Sequence, residues 1–396
     1  MLLIYNGKIL TMSGAEYDNG YILCDKDKII AVGKTLDEVE DLLTADVKKI
    51  DCNGGYVLPG LIDAHSHIGM WEDAVGFEGD DGNESTDPVT PQLRAIDAIY
   101  HADRAFKEAL EGGVTAVVTG PGSANVIGGQ FTALKTHGRC VDEMIIKQTV
   151  AMKVAFGENP KTIYNEKHQS PMTRMATAAI LRENLFKAQE YKELWEEYRA
   201  DTEEQDKPEF DFKLEALVKV LNKEIPLKAH AHRADDILTA IRIAREFDVN
   251  ITLEHCTEGY LIKDILAEAG LPVVVGPMLT DRSKIELRNQ NLKNPGILSK
   301  EGIKLAIMTD HPCVPVQHLC LCAAIAVKEG MEPKEALRAI TINAAEIVGI
   351  ADRVGSLEKG KDADIVIYDG NPFDLMTKVQ KTIINGTVVY ERTAND

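Results

Sequence analysis

Between residues 59 and 350 the chain alternates short apolar runs with amphipathic stretches, and this alternation restricts its fold more than any other feature. A strand buried on both faces reads as an unbroken apolar run, and a parallel neighbour is reached only through a crossover, usually a helix. Segments 114–119, 145–156, 227–232, 250–255, 272–275 and 303–308 read as strands. Segments 91–110, 173–198, 213–222, 235–247, 260–269, 318–329 and 333–348 carry helical spacing. Repeated βα units of this extent predict an α/β protein built on a (β/α)8 TIM barrel. A doubly wound open sheet is the alternative.

The two ends read differently. Segments 1–6, 8–12, 21–24, 28–32 and 48–51 are β-like, with turn signals at Asn6-Gly7, Asp18-Asn19-Gly20 and Asn53-Gly54-Gly55. The far end offers a Gly-Lys turn near 360 and a hairpin-like pair around Gly386. None of these runs buries a core alone. The simplest expectation is one small β-sandwich formed by 1–58 with 352–396, beside a barrel over 59–351.

Composition excludes several classes. A net charge of −19 opposes binding to nucleic acid or to an anionic membrane surface. No apolar stretch approaches a membrane span, and the N-terminus lacks the flanks of a signal peptide. Seven cysteines without a CxxC pair fit reduced cytoplasmic thiols rather than a disulfide framework. Cys320-Leu-Cys322 is a weak candidate for a soft metal site, set in an apolar run where a buried thiol is the plainer reading.

Metal-competent residues recur where strands end. His65 and His67 follow an apolar run, and residues two apart on extended backbone face the same side. His230 or His232, His255 and Asp310 close three later strands. Imidazole and carboxylate at the C-terminal mouth of a barrel suit a divalent ion, Zn²⁺ first, with Mn²⁺ or Fe²⁺ as alternatives. An Asp beside a metal-bound water can take its proton and make hydroxide available at neutral pH.

With these residues in view, the chain resembles the amidohydrolase superfamily of metal-dependent hydrolases, in the branch around imidazolonepropionase. The resemblance spans essentially the whole chain. It rests on Leu-Pro-Gly-Leu-Ile-Asp-Ala-His-Ser-His at 58–67, Lys228-Ala-His-Ala-His232, Thr252-Leu-Glu-His255 and Met308-Thr-Asp310-His-Pro. Asn343-Ala-Ala-Glu-Ile-Val-Gly and Gly355-Ser-Leu-Glu-Lys-Gly-Lys-Asp-Ala-Asp364 add to it. It implies that His65, His67, His230, His255 and Asp310 hold one or two ions. Asp310 would also be the general base, with His255 beside it in the catalytic set. His232 would then face the substrate. Binuclear members add a bridging anion after the fourth strand, for which Glu158 is preferred here and a carboxylated Lys153 is the rival.

The expected reaction is hydrolysis of a C–N bond in an amide, lactam, cyclic imide or small peptide by metal-activated hydroxide. Deaminases of the superfamily carry His-x-x-Glu after the fifth strand, and here that position is Arg233. An Arg there would pair with a substrate carboxylate. A deaminase of an aminated heterocycle, or a non-catalytic scaffold keeping the fold, are the alternatives. A small-molecule substrate is expected, with homo-oligomer formation as a further expectation. Two long loops complete the reading: 71–87, acidic through Glu72, Asp73, Glu78, Asp80, Asp81, Glu84 and Asp87, and the Gly-rich 120–130.

Overall fold

A computed structural model describes the chain except residues 44, 73–75 and 394–396, so Asp73 of the acidic loop lies outside the described residues. The N-terminal strands are β1 (Leu2–Leu10), β2 (Glu16–Asp25), β3 (Lys28–Gly33), β4 (Lys48–Asp51) and β5 (Tyr56–Pro59). The central strands are β6 (Leu61–Ser66), β7 (Val114–Thr119), β8 (Ile127–Lys135), β9 (Ile145–Ala155), β10 (Leu227–Ala231), β11 (Ile251–His255), β12 (Val273–Val275) and β13 (Leu305–Ile307). The last three are β14 (Ile365–Tyr368), β15 (Val379–Ile384) and β16 (Thr387–Glu391).

The terminal strands share one hydrogen-bonded sheet in the order β16-β15-β14-β5-β1-β2-β3, with β4 also on β1. Ile22, Cys24 and Ile29 from one limb pack with Val57, Ile365 and Ile383 from the other, so the sheet encloses a common core. Asn6-Gly7 does not break β1: Asn6 takes a positive φ of 56° and the ladder continues past a bulge. Tyr56–Pro59 pairs with β1 and β14, so the apolar run before the two histidines belongs to this sheet.

The central strands form a second sheet in sequence order from β6 to β13. It is a nearly closed eight-stranded barrel. At the seam, Asp310 N donates to His65 O at 3.2 Å and His67 N donates to His311 O at 2.9 Å. The buried Asp63 carboxylate accepts from the Thr309 backbone N at 3.2 Å and from its hydroxyl. Among the described residues, no helix is long and apolar enough to cross a membrane.

One barrel strand departs from the expected pattern. Segment 120–130 reads as a loop, yet Ile127 onward forms β8, antiparallel to both neighbours. The connection from β7 is only 120–126, too short for a crossover helix, so the chain must turn back. Every residue of β8 is buried. Gly129, at φ +132°, permits this because a Cβ would stand 2.7 Å from Leu93 O. The helix expected at 91–110 shrinks to a turn at Ala95–Asp97 and a helix at Arg104–Glu111 capped by Asp103. Cys320 and Cys322 lie two apart on the helix Leu319–Lys328 and so do not share a face. Cys322 is buried in the core and Cys320 contacts Pro372 O, which removes them as a metal pair.

The Gly-Lys-Asp-Ala-Asp segment joins the two sheets. Lys135, at the end of β8 and 2% exposed, reaches Asp362 at 2.9 Å and also pairs with Asp364. Lys28 and Arg353 complete the partners of Asp362. Replacing Lys135 with Met would leave two buried carboxylates short of a cation. The expected loss is about 3–5 kcal/mol, measured by urea denaturation, and a loss below about 1 kcal/mol would show that the cluster holds nothing together.

Candidate metal centre and cleft

The strand alternation that points His65 into the barrel also points Lys153, Lys228 and His230 inward, and the chain just past the strand ends adds His67, His232 and Asp310. The imidazoles of His65, His67, His230, His232 and His255 are buried, and Asp310 is nearly so. They form two groups, His65, His67 and Asp310, and His230, His232 and His255. Within each group the ligand-competent atoms lie within 4.8 Å of one another. The groups adjoin, with the His65 and His255 rings 5.8 Å apart.

Hydrogen bonds behind the rings fix their orientation. His67 Nδ1 donates to Gly120 O at 2.6 Å and His255 Nδ1 donates to Gly276 O at 3.0 Å. His65 Nδ1 donates to Glu254 Oε2 at 2.8 Å, and that oxygen also pairs with Lys228 at 2.9 Å. A carbonyl or carboxylate can only accept, so each of these rings presents an Nε2 lone pair. Ser123 and Thr257 hydroxyls meet Nδ1 of His230 and His232 at 2.9 and 2.7 Å. Nε2 of His230 is buried with no hydrogen-bond partner among the described residues, as a ligand atom awaiting an ion would be. The donor set thus fits a divalent metal.

Burial dominates the electrostatics. It drives the His65, His230 and His255 imidazoles well below their ordinary pKa, helped by neighbouring Lys and His charges. His232 is lowered to about 4 by burial, with the Glu286 charge opposing. Burial also brings Lys153 down to about 8 against the pull of Asp310 and Glu254. For Asp310 burial disfavours the carboxylate, but its neighbours outweigh burial, first His67, whose Nε2 stands 3.2 Å from Oδ1, then His255 and Lys153, and hold the group well below the carboxylate range. His255, Cys256 and Asp310 have positive φ of 68°, 47° and 54°, uncommon for residues with a Cβ and concentrated here at the mouth.

The two bridge candidates lie in different surroundings. Lys153 Nζ stands 3.2 Å from His65 Nε2 and is fully buried. Glu158 opens the helix Glu158–Glu166, lines the cleft and accepts from the Glu286 backbone N at 3.3 Å; it belongs to neither metal-competent group. His232 stands with His230 and His255 in one group as well as lining the cleft. Arg233 does not reach the cleft. It sits at the N-cap of the helix Ala234–Glu246, on the opposite side of the chain from His232, with both arms on Asp235 at 2.9 Å. The cation that does line the cleft is Lys284, which donates to Asn159 Oδ1 at 2.7 Å.

The cleft holds about 700 Å³ and is walled by Trp71, Ile163, Leu287 and Pro277 over the histidines. The loop after β12 supplies Lys284 and a fully buried carboxylate, Glu286. Neither was identifiable in sequence: the loop has no periodicity, and only its tertiary placement buries an acid there.

The pattern of the amidohydrolase family matches residues 56–389. The chain is 27% identical over 396 residues to the amidohydrolase tasK of Hapsidospora irregularis. That alignment takes in 94% of this chain and 40% of the relative, so the chain spans about two fifths of that protein's length. It is 26% identical over 394 residues to the imidazolonepropionase of Fusobacterium nucleatum, covering 89% of this chain and 85% of the other. Among solved structures, an amidohydrolase from Thermotoga maritima MSB8 superposes with a TM-score of 0.93 at 42% identity, covering 99% of this chain and 100% of that one.

Proposed function

The chain belongs to the amidohydrolase family, and from that premise we propose that it hydrolyses a C–N bond in an amide, lactam, cyclic imide or small peptide. The observation that carries this reading is the pair of adjoining metal-competent groups at the barrel mouth, with Lys153 against His65. His65, His67 and Asp310 would hold one ion; His230 and His255, with His232 beside them, a second. A divalent ion, Zn²⁺ before Mn²⁺ or Fe²⁺, would supply Lewis acidity and lower the pKa of the attacking water.

The chain's own groups do the rest. Asp310, a carboxylate turned toward His67 Nε2 at 3.2 Å, takes the proton of the attacking water and returns it to the leaving nitrogen. Lys153, once its neutral amine has added CO2 and released a proton, would supply the anion shared by the two groups, and its burial against His65 favours it over Glu158. Lys284 takes the place expected of Arg233 and pairs with a substrate carboxylate, since the only hydrogen bond of its ammonium among the described residues is to a neutral amide. The seven free thiols suit a reducing, cytoplasmic setting.

The test is a pooled panel on metal-loaded protein: dipeptides, N-acyl amino acids, lactams, hydantoins, an imidazolone and aminopurines, with new carboxylate and ammonia read separately. Carboxylate without ammonia is the expected result, whereas ammonia from an aminopurine would make the protein a deaminase. Chelation should lower turnover by at least about 100-fold and added Zn²⁺ or Mn²⁺ should restore it. Metal content near zero after gentle purification, with no turnover on reloading, would favour the scaffold reading.

A further inference from the structure

Glu286 lies on the loop after β12 with its side chain fully covered, and its two oxygens have different surroundings. Oε2 accepts from the Glu158 backbone N at 3.0 Å, while the Glu286 backbone N donates to Glu158 Oε2 at 3.3 Å. Gly157, at φ +78°, makes room for this approach, because a Cβ there would stand 2.6 Å from Glu286 Oε2. Oε1 has no hydrogen-bond partner among the described residues. It stands 3.7 Å from His232 Nε2 and 3.9 Å from His230 Nε2, the second of which is itself buried and unpartnered.

These separations are too long for hydrogen bonds. They suit two ligands sharing one ion, whose donor atoms stand roughly 3–4 Å apart at metal–ligand distances of about 2.1 Å. Glu286 is not among the residues that line the cleft, and Oε1 is buried behind His230 and His232, which are. Charge argues the same way. The first group contains its own carboxylate, Asp310, whereas the second has only imidazoles beyond the Lys153 anion it would share, so a further carboxylate would offset the charge left on a buried divalent ion.

We propose that Glu286 is a metal ligand, binding through Oε1 the ion held by His230, His232 and His255. The proposal rests on the reading of the site as a metal centre. It gives the β12 loop a second task, since ion binding would pin the same loop that carries Lys284 over the cleft.

The experiment compares wild type with Glu286→Gln, each as the full chain in metal-free and Co²⁺-loaded form. It reads the Co²⁺ binding isotherm, the visible Co²⁺ spectrum and Tm. Gln keeps an oxygen for the Glu158 amide but removes the charge. The expected result is affinity of one Co²⁺ weaker by about 100-fold or more, an altered spectrum, a lower Tm for the loaded protein only, and a metal-free Tm equal to or above wild type. Unchanged affinity and spectrum, or a Tm that falls equally in both forms, would overturn the proposal and leave Glu286 a structural group. Should the Gln variant fail to fold, Glu286→Asp, which keeps the charge but withdraws the oxygen, must show the same loss of affinity. Failure of wild type itself to bind Co²⁺ would sink the metal-centre reading on which the proposal depends.

Discussion

Asp310→Asn is expected to lower kcat by about 10³-fold or more while leaving the chain folded. Asn matches Asp in shape, so the backbone at φ 54° and the turn it closes with Cys313 N have no steric reason to change. What is lost is the ability to take and return a proton, together with the charged oxygen 3.2 Å from His67 Nε2. Metal content must be measured alongside kcat, because loss of a ligand and loss of a base predict different things. A variant that keeps its metal yet loses turnover supports the base. A variant that keeps both metal and turnover to within about tenfold would end the assignment.

Lys153→Met and Glu158→Gln form the second decisive pair. Met fills nearly the same buried volume beside His65 but offers no amine to carboxylate. The expected outcome for Lys153→Met is loss of at least one ion per chain and a fall in kcat/KM of about 10³-fold, the scale of several kcal/mol of transition-state stabilisation from a bound ion. Glu158→Gln keeps an oxygen to accept from Glu286 N, so metal content and turnover should stay within about twofold of wild type. The opposite pattern, with Lys153→Met active and Glu158→Gln dead, would restore Glu158 as the bridge.

Both comparisons turn on a distinction the sequence could not make. Lys153 and Glu158 lie five residues apart near the end of one strand, and either residue type has a chemical route to bridging. The barrel separates them: Lys153 lies inside β9, paired across from Lys228 and Gly129, whereas Glu158 begins the helix beyond the strand. Arg233 shows the same limit. Its position after His232 suggested a substrate contact, but the one-residue step that turns His232 inward turns Arg233 outward to Asp235.

What the sequence by itself determined was the set of strand ends. His65, His67, His255 and Asp310, with His230 or His232, could be picked out because period-two alternation and βα repetition are local rules, and the choice of His230 over His232 came from the family resemblance. The barrel strands that run the same way, all but β8, gather their C-terminal ends at one mouth. The antiparallel course of β8 and the acid facing His230 and His232 were decided only by the tertiary structure. Each depends on how far apart two distant segments end up, the backbone near Leu93 in one case and Gly157 in the other. Such distances follow from packing the whole chain, and no local pattern encodes them.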